Sequence, residues 1–270
     1  MNNALRQQLL ADLMRYGFGQ DEIERLDELH GLLSIGGGNI NHFTLLRAAI
    51  RGKLFDVQPH ALNANIAHLA TLLGTGKQVL VAAALKHPQL FGHTPLLLDA
   101  NATRSAELLG LVRRDFVAAG LKQPALLYER PEIIEANARR TAELLDVTKQ
   151  QFIAAALKLP QLFNRDPATV KAKVAYIKAI AEAVGRPMDT AMILSQMPVA
   201  IAYSKKHLHL RYVLARTGHA KSVSTAIVMP HAKVEATIIR YYAGKARTLR
   251  IMRMKGLIKD LPDCGNFRSD

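Results

Sequence analysis

The 270-residue chain has a single cysteine, Cys264, in a short polar tail. That excludes an internal disulfide framework and every multi-cysteine zinc site, and gives the chain the look of a protein built for a reducing compartment. Long apolar runs are also missing. The longest, Val79 to Leu85, falls far short of the roughly 20 residues needed to cross a bilayer. The N-terminus lacks a charged segment followed by an apolar signal core. Its acids Asp12, Asp21, Glu22, Glu24, Asp27 and Glu28 argue against an acid-poor transit peptide. The expectation is a cytoplasmic protein without a membrane partner, with a mitochondrial protein that has lost its presequence as the alternative.

Acidic residues are scarce in one region above all. The whole chain carries 36 Lys and Arg against 22 Asp and Glu, a formal net charge of +14. Residues 1–100 hold eight basic and eight acidic groups, residues 101–200 fourteen and ten, and residues 201–270 fourteen and four. A charge excess this steep stores self-repulsion that a bound polyanion relieves, which makes nucleic acid the first candidate partner.

What is present in abundance is repetition. Three segments align without gaps, from Leu80, Phe116 and Phe152, and their prolines Pro88, Pro124 and Pro160 fall 36 residues apart. A second register, Pro59, Pro95, Pro131 and Pro167, has the same period of 36. So do the apolar pairs Leu54/Phe55, Leu90/Phe91, Leu126/Leu127 and Leu162/Phe163. Drifted copies flank these: Leu45 to Phe55 lacks the turn proline, and Met197-Pro198 and Met229-Pro230 follow downstream.

Within a copy the local physics is readable. The Ala- and Leu-rich stretch Phe152 to Lys158 favours helix and stops at Pro160, which donates no amide and disfavours helical geometry in the residue before it. Gln161-Leu162-Phe163 is expected to turn and bury two apolar side chains. Asp166-Pro167 then offers a cap oxygen and a proline at the first helical position. In the second helix Val170, Val174, Ile177 and Ile180 form an apolar stripe, leaving Lys171, Lys173 and Lys178 off it. Gly74, Gly110, Gly185 and Gly218 are placed to end second helices, with Asp146 in that position once. A unit of this kind cannot bury both apolar faces alone. The predicted fold is therefore all-α, a superhelical solenoid of helical hairpins of about 36 residues, with residues 1–42 as an N-terminal helical cap, 43–256 as the array and 257–270 as a tail.

These features together resemble the mitochondrial transcription termination factor (mTERF) family. The carriers are the Leu-Gly that ends a unit, the apolar helix running into Lys-x-Pro-x-Leu-Phe, the proline opening the second helix, and the segment Tyr203-Ser204-Lys205-Lys206-His207-Leu208-His209-Leu210-Arg211-Tyr212, similar to the family's terminal repeat. The resemblance spans roughly residues 43 to 256. It implies a half-ring whose basic concave groove follows double-stranded DNA, a role in transcription termination or regulation, and, in some members, RNA or ribosome assembly instead.

Six residues past each second-helix proline stand Asn65, Asn101, Asn137 and Lys173; Arg211 holds the equivalent place where Lys205 replaces the proline. Stacked copies would align this column along one face. Asn pairs with adenine edges, Arg with guanine edges, and Lys with phosphate. The alternative is that the asparagines brace the neighbouring unit through backbone hydrogen bonds. Arg104, Arg140 and Lys171 occupy adjacent columns, and Lys205 and Lys206 join them as candidate contacts. Further on, Arg240, Lys245, Arg247, Arg250 and Arg253 add a strongly basic stretch around Tyr241 and Tyr242.

Other signals carry little. Gly74-Thr75-Gly76-Lys77 lacks the first glycine and the hydroxyl of a phosphate loop, and Gly36-Gly37-Gly38-Asn39 follows no strand. His207 and His209 lack a third metal ligand. No nucleophile and base pair or paired-carboxylate arrangement stands out, so neither catalysis nor a cofactor is expected. The leading reading is a monomeric, non-enzymatic double-stranded DNA-binding protein. Structured-RNA binding is the first alternative and a protein-interaction scaffold the second.

Overall fold

Among the described residues, proline decides where every second helix of the repeat begins. The computed structural model describes residues 14–15, 17–34, 42–52, 54–183, 185, 187–204 and 208, and among them every regular element is helical. The helices are α1 (Gln20–Ser34), α2 (His42–Gly52), α3 (Pro59–Leu73), α4 (Lys77–Lys86), α5 (Pro95–Leu109), α6 (Arg113–Lys122), α7 (Pro131–Leu145), α8 (Lys149–Lys158), α9 (Pro167–Ala183) and α10 (Thr190–Gln196). Short helical turns at Leu54–Asp56, Pro88–Gly92, Ala125–Tyr128, Pro160–Asn164 and Pro198–Ala202 lead out of α2, α4, α6, α8 and α10. The expected all-α class holds for the described residues.

Helices α3, α5, α7 and α9 each open on a proline, whose missing amide falls where a helix leaves donors unsatisfied anyway. The residue before it can add a cap: the Thr94 hydroxyl accepts from the Leu97 amide at 3.4 Å, and the Asp166 carboxylate from the Thr169 amide at 2.8 Å. At the other end Gly74, Gly110 and Gly185 adopt φ of 64°, 66° and 71°, and Asp146 follows them at 54°. The amides of Gly74 and Thr75 return to the carbonyls of Thr71 and Ala70, closing α3. The chain then bends by 112° into α4.

The chain divides into two compact units, Met1–Glu135 and Ala136–Asp270, with the division inside α7. In the first unit α1 packs on α3 and α3 on α5, while α2 packs against α4 and α4 against α6. Each type of helix thus meets the next of its own type. Leu62, Ile66, Leu69 and Leu73 of α3, and Leu98, Ala102, Ala106 and Leu109 of α5, are the buried stripes of these contacts. In the second unit α8 packs on α10, and α9 on α10 and on the Pro198–Ala202 turn. The proline turns act as wedges: Leu90, Leu126, Leu127, Leu162 and Phe163 are all buried. Phe163 meets Phe152 edge to face at 6.3 Å, worth about 0.5–1.5 kcal/mol beyond area burial.

Candidate nucleic-acid interface

Three members of the column drawn from the repeat, Asn101, Asn137 and Lys173, lie on second helices and reach a carbonyl in or just after a proline turn. The side-chain amide of Asn101 on α5 donates to the Leu127 carbonyl at 3.2 Å, and that of Asn137 on α7 donates to the Phe163 carbonyl at 3.4 Å. Both acceptors lie 26 residues downstream, inside a helical turn whose carbonyls have no full complement of backbone donors. Lys173 on α9 is half-buried, and its ammonium donates to the Tyr203 carbonyl. Lys173, which the sequence places off the apolar stripe, thus has a main-chain partner that no acidic residue signals. A carbonyl at the end of a turn accepts from a cation as a carboxylate would, and does not appear in a search for acids. Asn65 is exposed and borders a small apolar cavity of about 20 Å³ with Phe91 and His93.

Cations of the neighbouring columns fare differently. Arg104 is exposed and pairs with Glu107 at 3.3 Å and Glu132 at 3.9 Å, contacts of at most about 1 kcal/mol that a phosphate can displace. Arg140 is exposed and lies within electrostatic reach of Asp166. The carboxyl of Asp166 is held below the usual carboxylate range, first by the Thr169 amide, then by the Thr169 hydroxyl, and least by Arg140. Lys171 is exposed on α9 and forms no hydrogen bond or ion pair. The remaining candidates, Lys205, Lys206, Arg211, Arg240, Lys245, Arg247, Arg250 and Arg253, lie outside the described residues, as do Gly218 and the histidines at 207 and 209.

A set of basic residues not singled out from the sequence proves to be structural. Lys77 at the start of α4 donates to the Leu32 carbonyl at the end of α1, at 3.1 Å. Arg113, the same position one period on, donates to the Leu72 carbonyl at the end of α3 at 2.9 Å, pairs with Asp99, and reaches Thr103 at 3.0 Å. Lys158 donates to the Ser195 carbonyl of α10 at 2.8 Å. Arg165 reaches the Ile201 carbonyl at 3.3 Å. Helix ends carry partial negative charge and unsatisfied carbonyls, so a cation one period away is the natural lock.

Others remain open. Arg114, Lys122, Arg130 and Lys178 are exposed without a side-chain hydrogen bond or ion pair. So are Arg47, Arg51 and Lys86, which with Thr44, Ala48 and Leu85 line a cleft of about 270 Å³ between α2 and the end of α4. The signal in the sequence was the basic residue that ends each first helix, Arg51, Lys86, Lys122 and Lys158, hidden at Arg51 by the missing proline. Among the described residues no cluster of His, Cys, Asp and Glu could hold a metal ion, and no single helix is long and apolar enough to cross a membrane. The chain matches no model of a known protein family, and no curated protein is similar to it at a significant level.

Proposed function

We propose that the chain is a nucleic-acid-binding helical-repeat protein of mTERF-like type, in which hairpin units stack into a superhelical solenoid and present a basic groove to double-stranded DNA. In this reading it acts without catalysis, as a regulator or terminator of transcription. The observation that carries the proposal is the charge progression along the sequence, from balance in residues 1–100 to fourteen basic against four acidic groups in residues 201–270. Like-on-like packing of α1, α3 and α5, and of α2, α4 and α6, supports the stacking. Exposed cations on the second helices that lock no helix end, Lys171 and Arg140, support a surface that holds phosphate by charge.

The test is fluorescence anisotropy of labelled duplex DNA, duplex RNA and single strands of one sequence, across a salt series. A contact neutralising six to ten phosphates weakens by about 10³ to 10⁵ between 50 and 200 mM salt. Duplex DNA is expected to compete best. Tighter binding of RNA would move the reading to structured RNA, whose 2′-hydroxyls and wide minor groove differ from those of DNA. A binding constant flat across the salt range would reject it.

A further inference from the structure

We infer that the cleft between α2 and α4 is a phosphate site for the nucleic-acid backbone, separate from the C-terminal basic stretch; the inference rests on the nucleic-acid reading above. Thr44, Arg47, Ala48 and Arg51 lie three or four residues apart and so share one face of α2, and Lys86 closes the far wall from the last turn of α4. Among the described residues the lining holds three cations and one hydroxyl and no acid. None of the three cations makes a side-chain hydrogen bond or ion pair.

The convergence is fixed by backbone. A Cβ at Gly52 would lie 2.9 Å from the Pro88 Cβ and 3.1 Å from its carbonyl oxygen. The end of α2 therefore sits against the turn that begins two residues after Lys86, and Arg51 and Lys86 cannot separate without breaking this contact. The helix C-termini offer partial negative charge to Arg51 and Lys86, but Arg47 stands a turn earlier and has no such compensation.

The cleft between α8 and α10 shows what such a space looks like without this function. Its terminal cation, Lys158, is bound to the Ser195 carbonyl. Ala154 stands four residues before it, where Arg47 stands before Arg51, and Asp189 sits on the wall. Only the α2/α4 cleft of this pair gathers unpaired guanidinium groups, whose planar fork fits phosphate oxygens two at a time. An open cleft with a threonine hydroxyl beside them suits a phosphodiester passing through.

The test compares two triple variants of the full chain that each remove three positive charges: Arg47→Gln/Arg51→Gln/Lys86→Gln in the cleft and Arg114→Gln/Lys122→Gln/Arg130→Gln outside it. All six side chains are half-buried at most, and circular dichroism checks that both variants fold. Thr44→Glu, which puts a carboxylate into the cleft with every cation retained, is a second probe. With labelled duplex DNA or RNA over a salt series, the cleft variant is expected to weaken binding at least tenfold at about 100 mM salt. It should also flatten the slope of log K against log salt by about two to three, the loss of as many phosphate contacts. Thr44→Glu weakens binding in the same direction, and the outside variant changes the slope by less than one. Equal effects of the two triple variants, or an unchanged slope in the cleft variant, overturn the cleft while leaving nucleic-acid binding intact. A wild-type chain that binds no duplex overturns the functional reading and the cleft with it.

Discussion

Asp146 takes the left-handed conformation, φ 54°, that Gly74, Gly110 and Gly185 take at the other helix ends. An L-residue there bears a clash between its Cβ and the following carbonyl that glycine avoids, and the Asp146 side chain is exposed and offers no hydrogen bond in return. Asp146→Gly should raise stability by about 0.5–1 kcal/mol, read as a higher urea midpoint with an unchanged slope. Ser105 and Thr141, one period apart, are both fully buried. The Thr141 hydroxyl donates to the Asn137 carbonyl at 2.6 Å, whereas the Ser105 hydroxyl has no partner. Leaving a buried hydroxyl unpaired costs its desolvation, so Ser105→Ala should be neutral or stabilising while Thr141→Ala costs about 1–2 kcal/mol; chemical denaturation separates them. At Asp166 the folded-state pKa is lowered by the Thr169 amide and hydroxyl. The unfolded chain therefore takes up the proton first as pH falls, and the stabilisation by this cap is present at neutral pH and lost below about pH 4. Thermal midpoints of wild type and Asp166→Ala should differ at pH 7 and converge towards pH 2–3.

Helices α4, α6 and α8 occupy the same place in successive units, yet α6 carries Gly120 where the others carry Ala84 and Ala156. A Cβ at Gly120 would lie 2.6 Å from Leu127 Cδ2 and 2.9 Å from its Cγ. Leu127 itself stands where the other units have Phe91 and Phe163, so its side chain fills the space that alanine takes elsewhere. Gly120→Ala gains about 1 kcal/mol of helix propensity and meets an overpacking cost of about 1–3 kcal/mol, for a net loss of about 1 kcal/mol. Leu127→Ala in the same chain should reverse that loss, a coupling that a double-mutant cycle measures. At this scale the sequence was largely legible. Prolines 59, 95, 131 and 167 start helices, and the glycines end them, because these residues act through their own φ and amide and need no tertiary partner. The backbone contacts of Asn101 and Asn137 were one of two readings the sequence left open, and that of Lys173 was not legible. Spacing places each on a helix face but is silent on the carbonyl 26 or 30 residues away that each side chain reaches. The 38 residues from Pro160 to Pro198, two more than the period, likewise gave no warning that α10 would be a short helix capped by Asp189, which accepts the Met192 amide at 2.6 Å.

The basic residues described in the structure include two populations that composition cannot separate. One locks helix and turn ends: Lys77, Arg113, Lys158, Arg165 and Lys173 each donate to a main-chain carbonyl. The other stands exposed without such a contact, as Lys171 and Lys178 do on α9. A net charge of +14 therefore overstates what is available to a polyanion, and the gradient along the chain is a better guide than the total. Lys171 and Lys173 lie two residues apart on one helix and divide the two roles between them. Removing the ammonium of Lys173 leaves the Tyr203 carbonyl without this donor, a loss of about 1–3 kcal/mol for a charged hydrogen bond, or roughly 2–4 °C in thermal midpoint per kcal/mol in a chain of this size. Removing that of Lys171 takes away only an exposed charge. Lys173→Met is thus expected to lower the thermal midpoint by several degrees and leave the salt slope of duplex binding nearly unchanged. Lys171→Gln should leave the midpoint within about a degree and flatten the slope by about one phosphate contact. Paired melting curves and anisotropy titrations on the two variants decide the division, and the reverse pattern would return Lys173 to the binding surface and make its carbonyl contact incidental.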